Sequence, residues 1–119
     1  MNTVVAAVDD FFFASKLKEA ARQTSTELVF PQSVEEVVDL TARRGAKVVL
    51  LDLNGKNYSR IEAVRALKKD PRTRSAQTIG YLSHIMVELK KEAEEAGCDR
   101  VLARSAFVKL LPSILKGAA

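Results

Sequence analysis

The sequence of 119 residues has one cysteine, Cys98, and therefore no disulfide framework. A single thiol suits a reducing, intracellular setting, and the expected location is the cytoplasm. The N-terminus has no basic segment followed by a long apolar one, so no secretory leader is expected. No apolar run approaches the roughly 20 residues that span a bilayer. Cationic residues are in slight excess, 19 Lys plus Arg against 15 Asp plus Glu, but they form no single-sign stripe. Lys90 and Lys91, for example, lie between Glu88 and Glu92 and read as a solvated helix face. Neither nucleic acid nor a membrane is an expected partner. The one histidine, His84, has no visible base or orienting group nearby in sequence, and it reads as an ordinary loop residue.

What the chain does have is a core. Apolar residues make up 47% and charged residues 29%, which suits one soluble domain spanning residues 1–119. No internal repeat, linker or low-complexity segment interrupts it. Short β-branched runs alternate with amphipathic segments. Strands are predicted over Thr3–Val8, Thr26–Phe30, Lys47–Asp52, Gln77–Leu82 and Arg100–Ala103. Between and after them, helices are predicted over Phe13–Thr24, from Ser33 to the glycine stop at Gly45, from Ser59 to Asp70-Pro71, over Met86–Ala96, and over Phe107–Leu115. Ser33 and Ser59 are N-cap residues. Met86, Leu89, Ala93 and Ala96 are expected to face inward. Pro112 predicts a kink in the last helix, or a helix that begins just before it. The run Phe11-Phe12-Phe13 cannot all face inward on one helix, so exposure of at least one ring is expected. Cys98 is expected to fill a small apolar space.

Five βα repeats predict an α/β fold with a parallel sheet and helices on both faces. Such a sheet carries its site at the carboxyl ends of the strands. Those ends hold Asp9-Asp10, Asp52, Ser83 and Arg104-Ser105. Clustered carboxylates repel one another, and their pKa values rise unless a cation sits among them. A hard divalent ion such as Mg2+ suits an all-oxygen set. With that charge neutralised, a carboxylate can attack phosphorus while a hydroxyl and a cation hold the phosphoryl oxygens. A glycine-rich phosphate loop is missing after the first strand, where DDFFFASK is acidic and bulky. That argues against a nucleotide- or flavin-using enzyme on the same architecture.

Four segments together, VDD at Val8–Asp10, LLDLN at Leu50–Asn54, YLS at Tyr81–Ser83 and AGCDRVLARSAF at Ala96–Phe107, resemble the receiver domains of two-component response regulators. The resemblance spans essentially the whole chain and implies a doubly wound sandwich with strand order 2-1-3-4-5. It implies Mg2+ held by Asp9, Asp10, Asp52 and the backbone carbonyl of Asn54. It implies phosphorylation of Asp52, with Ser83 on the phosphoryl oxygen. Implied partners are a sensor histidine kinase or phosphotransfer protein, and a downstream protein target.

Several features depart from the family pattern. Arg104 replaces its lysine, Ser105 its following proline, and Val101 an aromatic that reports phosphorylation. In GKNYSR, the segment after Asn54, Lys56 stands where a proline is usual, and the later Asp-Gly pair is missing. Lys56 is a candidate stand-in cation at the site. Two readings follow from these residues. One is a stand-alone receiver phosphorylated on Asp52, a phosphoacceptor rather than an enzyme. The other is a degenerate receiver acting as an interaction module independent of phosphorylation.

Overall fold

The computed structural model describes residues 2–83 and 86–117. Ten elements alternate along the chain: β1 Asn2–Ala7, α1 Phe11–Gln23, β2 Thr26–Val29, α2 Val34–Arg44, β3 Val48–Asp52, α3 Arg60–Lys69, β4 Gln77–Leu82, α4 Val87–Ala96, β5 Arg100–Ala103 and α5 Arg104–Lys116. All strand pairs are parallel, in the order β2-β1-β3-β4-β5. Fold class and strand order are therefore those expected from the sequence.

The alternation of a strand's side chains sorts the core into two layers. On one face, Val4, Ala6, Val48, Leu50, Ile79 and Tyr81 pack with Phe13, Leu17, Phe107 and Leu111 of α1 and α5. On the other, Val5, Ala7, Val49 and Leu51 pack with Val37, Val64, Leu67 and Ala93 of α2, α3 and α4. Because both faces are covered, β3 is buried from end to end, Asp52 included. An uninterrupted apolar run ending on a carboxylate is the sequence trace of that burial.

The helix starts follow from local chemistry. The Ser33 hydroxyl accepts from the Glu36 N–H, and the Ser59 hydroxyl accepts from the Glu62 N–H. Gly45 closes α2 at φ 60°, in the left-handed region that favours glycine. Asp10 caps α1, which therefore begins at Phe11, two residues before the predicted start. The last helix begins at Arg104, directly after β5 and three residues before the predicted start. Pro112 thus lies in its third turn rather than near its beginning. Phe13 is buried, whereas Phe11 and Phe12 are 78% and 82% exposed. Met86 does not face inward: it precedes α4 as the N-cap residue and is 40% exposed. Cys98 is buried, and its thiol donates to the Arg100 carbonyl at 3.2 Å. His84 lies outside the described residues.

Candidate functional site

Asp9, Asp10, Asp52, Asn54, Lys56, Ser83 and Arg104 line one open cleft of about 400 Å³ at the carboxyl ends of the strands. These are the seven residues singled out in the sequence. Asp9 and Asp10 follow β1, Asp52 is the last residue of β3, Ser83 follows β4 and Arg104 opens α5. Hydrogen bonding in register brings β1, β3 and β4 side by side, and that places the three chain segments together.

The Asp52 carboxylate is 5% exposed. Among the described residues it accepts one hydrogen bond, from the Asn54 N–H at 3.0 Å. Burial pushes its pKa above the ordinary aspartate value. The Asn54 N–H opposes this, the Asp9 charge adds to it, and the Arg104 and Arg60 charges act against it. An ionised Asp52 is thus under-compensated by its surroundings.

The acidic pair is more occupied. Asp10 Oδ1 accepts the Phe13 N–H at 3.0 Å, and Oδ2 accepts from Arg104 Nη2 at 3.2 Å. The cap bond, and after it the guanidinium, hold the Asp10 carboxyl below the usual range against the effect of burial. Asp9 Oδ2 accepts the Lys56 N–H at 3.2 Å. Lys56 therefore meets the acidic pair through its backbone, and its side chain borders the cleft.

Ser83 is tied to Asn54. The Asn54 Oδ1 accepts both the Ser83 N–H at 2.8 Å and the Ser83 hydroxyl at 3.2 Å. On its other side, Asn54 Nδ2 donates to the Met86 thioether at 3.1 Å. Arg104 lies over the Phe13 ring, 4.6 Å from its centroid. That ring belongs to a buried stack in which Phe13 and Tyr81 are 4.7 Å apart and Tyr81 and Phe107 are 4.5 Å apart. The Tyr81 hydroxyl and Arg104 Nε are buried without a hydrogen-bond partner.

One residue of this region was not singled out in the sequence. Arg60, the first residue of α3, is 2% exposed. Its Nε donates to the Ala7 carbonyl at 2.9 Å, and its Nη1 donates to Asn57 Oδ1 and the Tyr58 carbonyl. The Tyr58 ring lies 3.9 Å from the guanidinium carbon. Nη2 stands 3.7 Å from Asp9 Oδ1 and makes no hydrogen bond. Gly55 permits this arrangement, since a Cβ there would lie 2.6 Å from the guanidinium carbon.

A divalent cation fits the donor chemistry of Asp9, Asp52 and the Asn54 carbonyl, all hard oxygens. Asp10 fits less well, because both its oxygens are engaged. Among the described residues, no group of three or more His, Cys, Asp or Glu is gathered closely enough to hold a metal ion. Two arginines stand beside the acidic pair, Arg104 at Asp10 and Arg60 near Asp9.

No family model and no curated protein matches the chain. Solved structures do. A response regulator in red light signaling of R. palustris is 23% identical, with 95% of this chain and 90% of that one covered at TM-score 0.73. The Vibrio cholerae chemotaxis protein CheY4 is 17% identical over 97% of this chain and 99% of its own, at TM-score 0.80. A Burkholderia pseudomallei response regulator, solved with a phosphorylated aspartic acid, a calcium ion and citrate, is 17% identical. It aligns over 97% of this chain and 66% of its own, at TM-score 0.79. The chain therefore has the fold of response regulator receiver domains.

Proposed function

We propose that this chain is a receiver that accepts a phosphoryl group on Asp52 and signals by protein–protein contact. The observation that carries this reading is the buried Asp52 carboxylate at the end of β3, on an open cleft and with, among the described residues, a single hydrogen bond on it. A Burkholderia pseudomallei protein of the same fold was solved with a phosphorylated aspartic acid and a calcium ion, which supports aspartyl phosphorylation on this fold.

In the proposed transfer, an Asp52 carboxylate oxygen attacks phosphorus. The bond from phosphorus to the donor breaks as the acyl phosphate forms, and the donor nitrogen or oxygen leaves with the bonding pair. The donor is a phosphohistidine of a sensor kinase or phosphotransfer protein, or a small acyl phosphate. Mg2+, held by Asp9, Asp52 and the Asn54 carbonyl, with Asp10 once Arg104 releases it, would supply positive charge to the transferring oxygens. Ser83 would donate its hydroxyl to a phosphoryl oxygen after leaving Asn54. Arg104 offers a guanidinium to the same group, with the Lys56 ammonium at the rim. The chain itself is a phosphoacceptor, limited to its own transfer and dephosphorylation.

The output surface is the face of α4, β5 and α5. An apolar cleft of about 330 Å³ lined by Leu82, Met86, Val87 and Val101 lies there. A downstream protein would read this face. No helix among the described residues is long and apolar enough to cross a membrane.

Intact mass after incubation with acetyl phosphate and Mg2+ tests the proposal. Wild type is expected to gain one phosphoryl group, and Asp52→Asn none. If a folded sample fails to gain it from acetyl phosphate and also from a phosphorylated histidine donor, the chain acts by binding alone.

A further inference from the structure

Behind the wall of the cleft, a buried cation of the chain itself stands against Asp9. Arg60 is buried and fixed by three hydrogen bonds and a stacked Tyr58 ring. Its remaining nitrogen, Nη2, is buried, unpartnered and 3.7 Å from Asp9 Oδ1. A buried N–H of a charged group seeks an acceptor, and a buried guanidinium seeks an anion. Asp9 is the carboxylate that meets both needs. It is reached by charge at present, and a shift of less than an ångström would bring a hydrogen bond.

We propose that Arg60 is the resident counter-ion of the cleft: it holds Asp9 by charge, competes with a divalent cation for that carboxylate, and thereby sets the metal affinity of the phosphorylation site. This rests on the receiver reading of the cleft. The physical reason is placement. A divalent ion bound to Asp9 and Asp52 would sit near a positive charge that cannot move away. The Arg60 guanidinium is held from Ala7 on the first strand and from Asn57 and Tyr58 in the loop before α3. It cannot swing towards solvent as a lysine at the rim can. The repulsion weakens binding of the ion, while Asp9 remains partly neutralised in its absence. The cleft thus keeps its shape without metal.

Mn2+ titration, followed by the electron paramagnetic resonance of the free ion, tests this on the protein without phosphodonor. Arg60→Met keeps the length and packing of the stem and removes the charge. It is expected to bind Mn2+ about tenfold more tightly than wild type, as removal of one nearby charge in a partly screened site implies. Equal or weaker binding by the folded variant would overturn the proposal and leave phosphorylation of Asp52 untouched. Absence of binding by both proteins would overturn it together with the metal half of the receiver reading.

A second variant covers the case in which Arg60→Met does not fold. Asp9→Asn keeps the shape of the side chain and leaves Arg60 with its other bonds. If Arg60 is the counter-ion, Asp9→Asn lowers the melting temperature in metal-free buffer, because a buried guanidinium loses its anion. If Asp9 is merely one of several repelling carboxylates, the amide relieves repulsion and the melting temperature rises or stays level. That result would overturn the proposal. Phosphoryl uptake by the wild type, read by mass, depends on neither variant and separates failure of this inference from failure of the receiver reading.

Discussion

Asp10 and Arg104, 94 positions apart, join the start of α1 to the start of α5 through an ion pair of 3.2 Å. The pair corrects a local fault. A cation at the first position of a helix opposes the helix dipole, and Ala103 before it has no side chain with which to cap. Asp10 supplies the missing negative charge while also capping its own helix through Phe13. Arg104→Met is expected to destabilise the protein by about 1 kcal/mol, from a partly exposed pair and the contact with the Phe13 ring. Thermal unfolding would register this as a fall of about 4 °C. Part of the deficit should fade at high salt, since the pair is about a third exposed on each side.

Asp52 gives a pH signature with a definite sign. Its carboxyl titrates above the ordinary aspartate value in the folded chain, chiefly because it is buried. The folded state therefore binds its proton more tightly than the unfolded state. That stabilisation is fully present below the unfolded pKa of about 3.9 and is lost as pH rises through the raised folded value. Asp52→Asn is expected to be the more stable protein at neutral pH. Its advantage in denaturant midpoint should shrink as pH falls below the folded value. An advantage constant with pH would show that Asp52 ionisation is not what limits stability.

Gly55→Ala tests the passage of Arg60 beneath the loop. The new Cβ would meet the guanidinium at 2.6 Å, and the guanidinium is pinned by Ala7, Asn57 and Tyr58 rather than free to move. A loss of about 1–3 kcal/mol is expected in chemical denaturation, the usual range for overpacking. An unchanged midpoint would mean that Arg60 has another place to go.

Tyr81 carries a hydroxyl that is buried without a hydrogen-bond partner, within a ring stack that does not need it. Burial raises its pKa far above the ordinary tyrosine value. Tyr81→Phe removes the unsatisfied group and keeps the ring. It is expected to leave stability unchanged or raise it by about 1 kcal/mol, measured by thermal unfolding. A clear loss would reveal an ordered water or another partner on that hydroxyl.

The central sheet was legible because burial on both faces leaves apolar runs in its strands, residues 4–7 in β1, 48–51 in β3 and 79–82 in β4, with polar residues confined to the strand ends. The strand-end residues were legible for the same reason: polar groups there break long apolar runs. Ser33, Ser59 and Gly45 were legible as local devices, each acting within four residues of itself. Met86 and the start of α5 were misread because neither helix has a side-chain cap to mark it. Arg60 was invisible for a different reason. An arginine in the first turn of an amphipathic helix looks solvated, and its burial depends on a carbonyl 53 positions away and on the missing side chain of Gly55. The charge balance around the cleft was therefore only partly readable: the carboxylates, Lys56 and Arg104 announce themselves in sequence, and the buried Arg60 does not.

Asn54 joins two places that otherwise have little to do with each other. Its amide oxygen holds Ser83 and its amide nitrogen holds the sulfur of Met86, the residue just before α4. An occupant that draws the Ser83 hydroxyl away removes a constraint on one end of a rigid planar group whose other end touches the rim of the apolar cleft. The amide is thus a single side-chain link between the end of β4 and the residue before α4, one that does not run through the sheet.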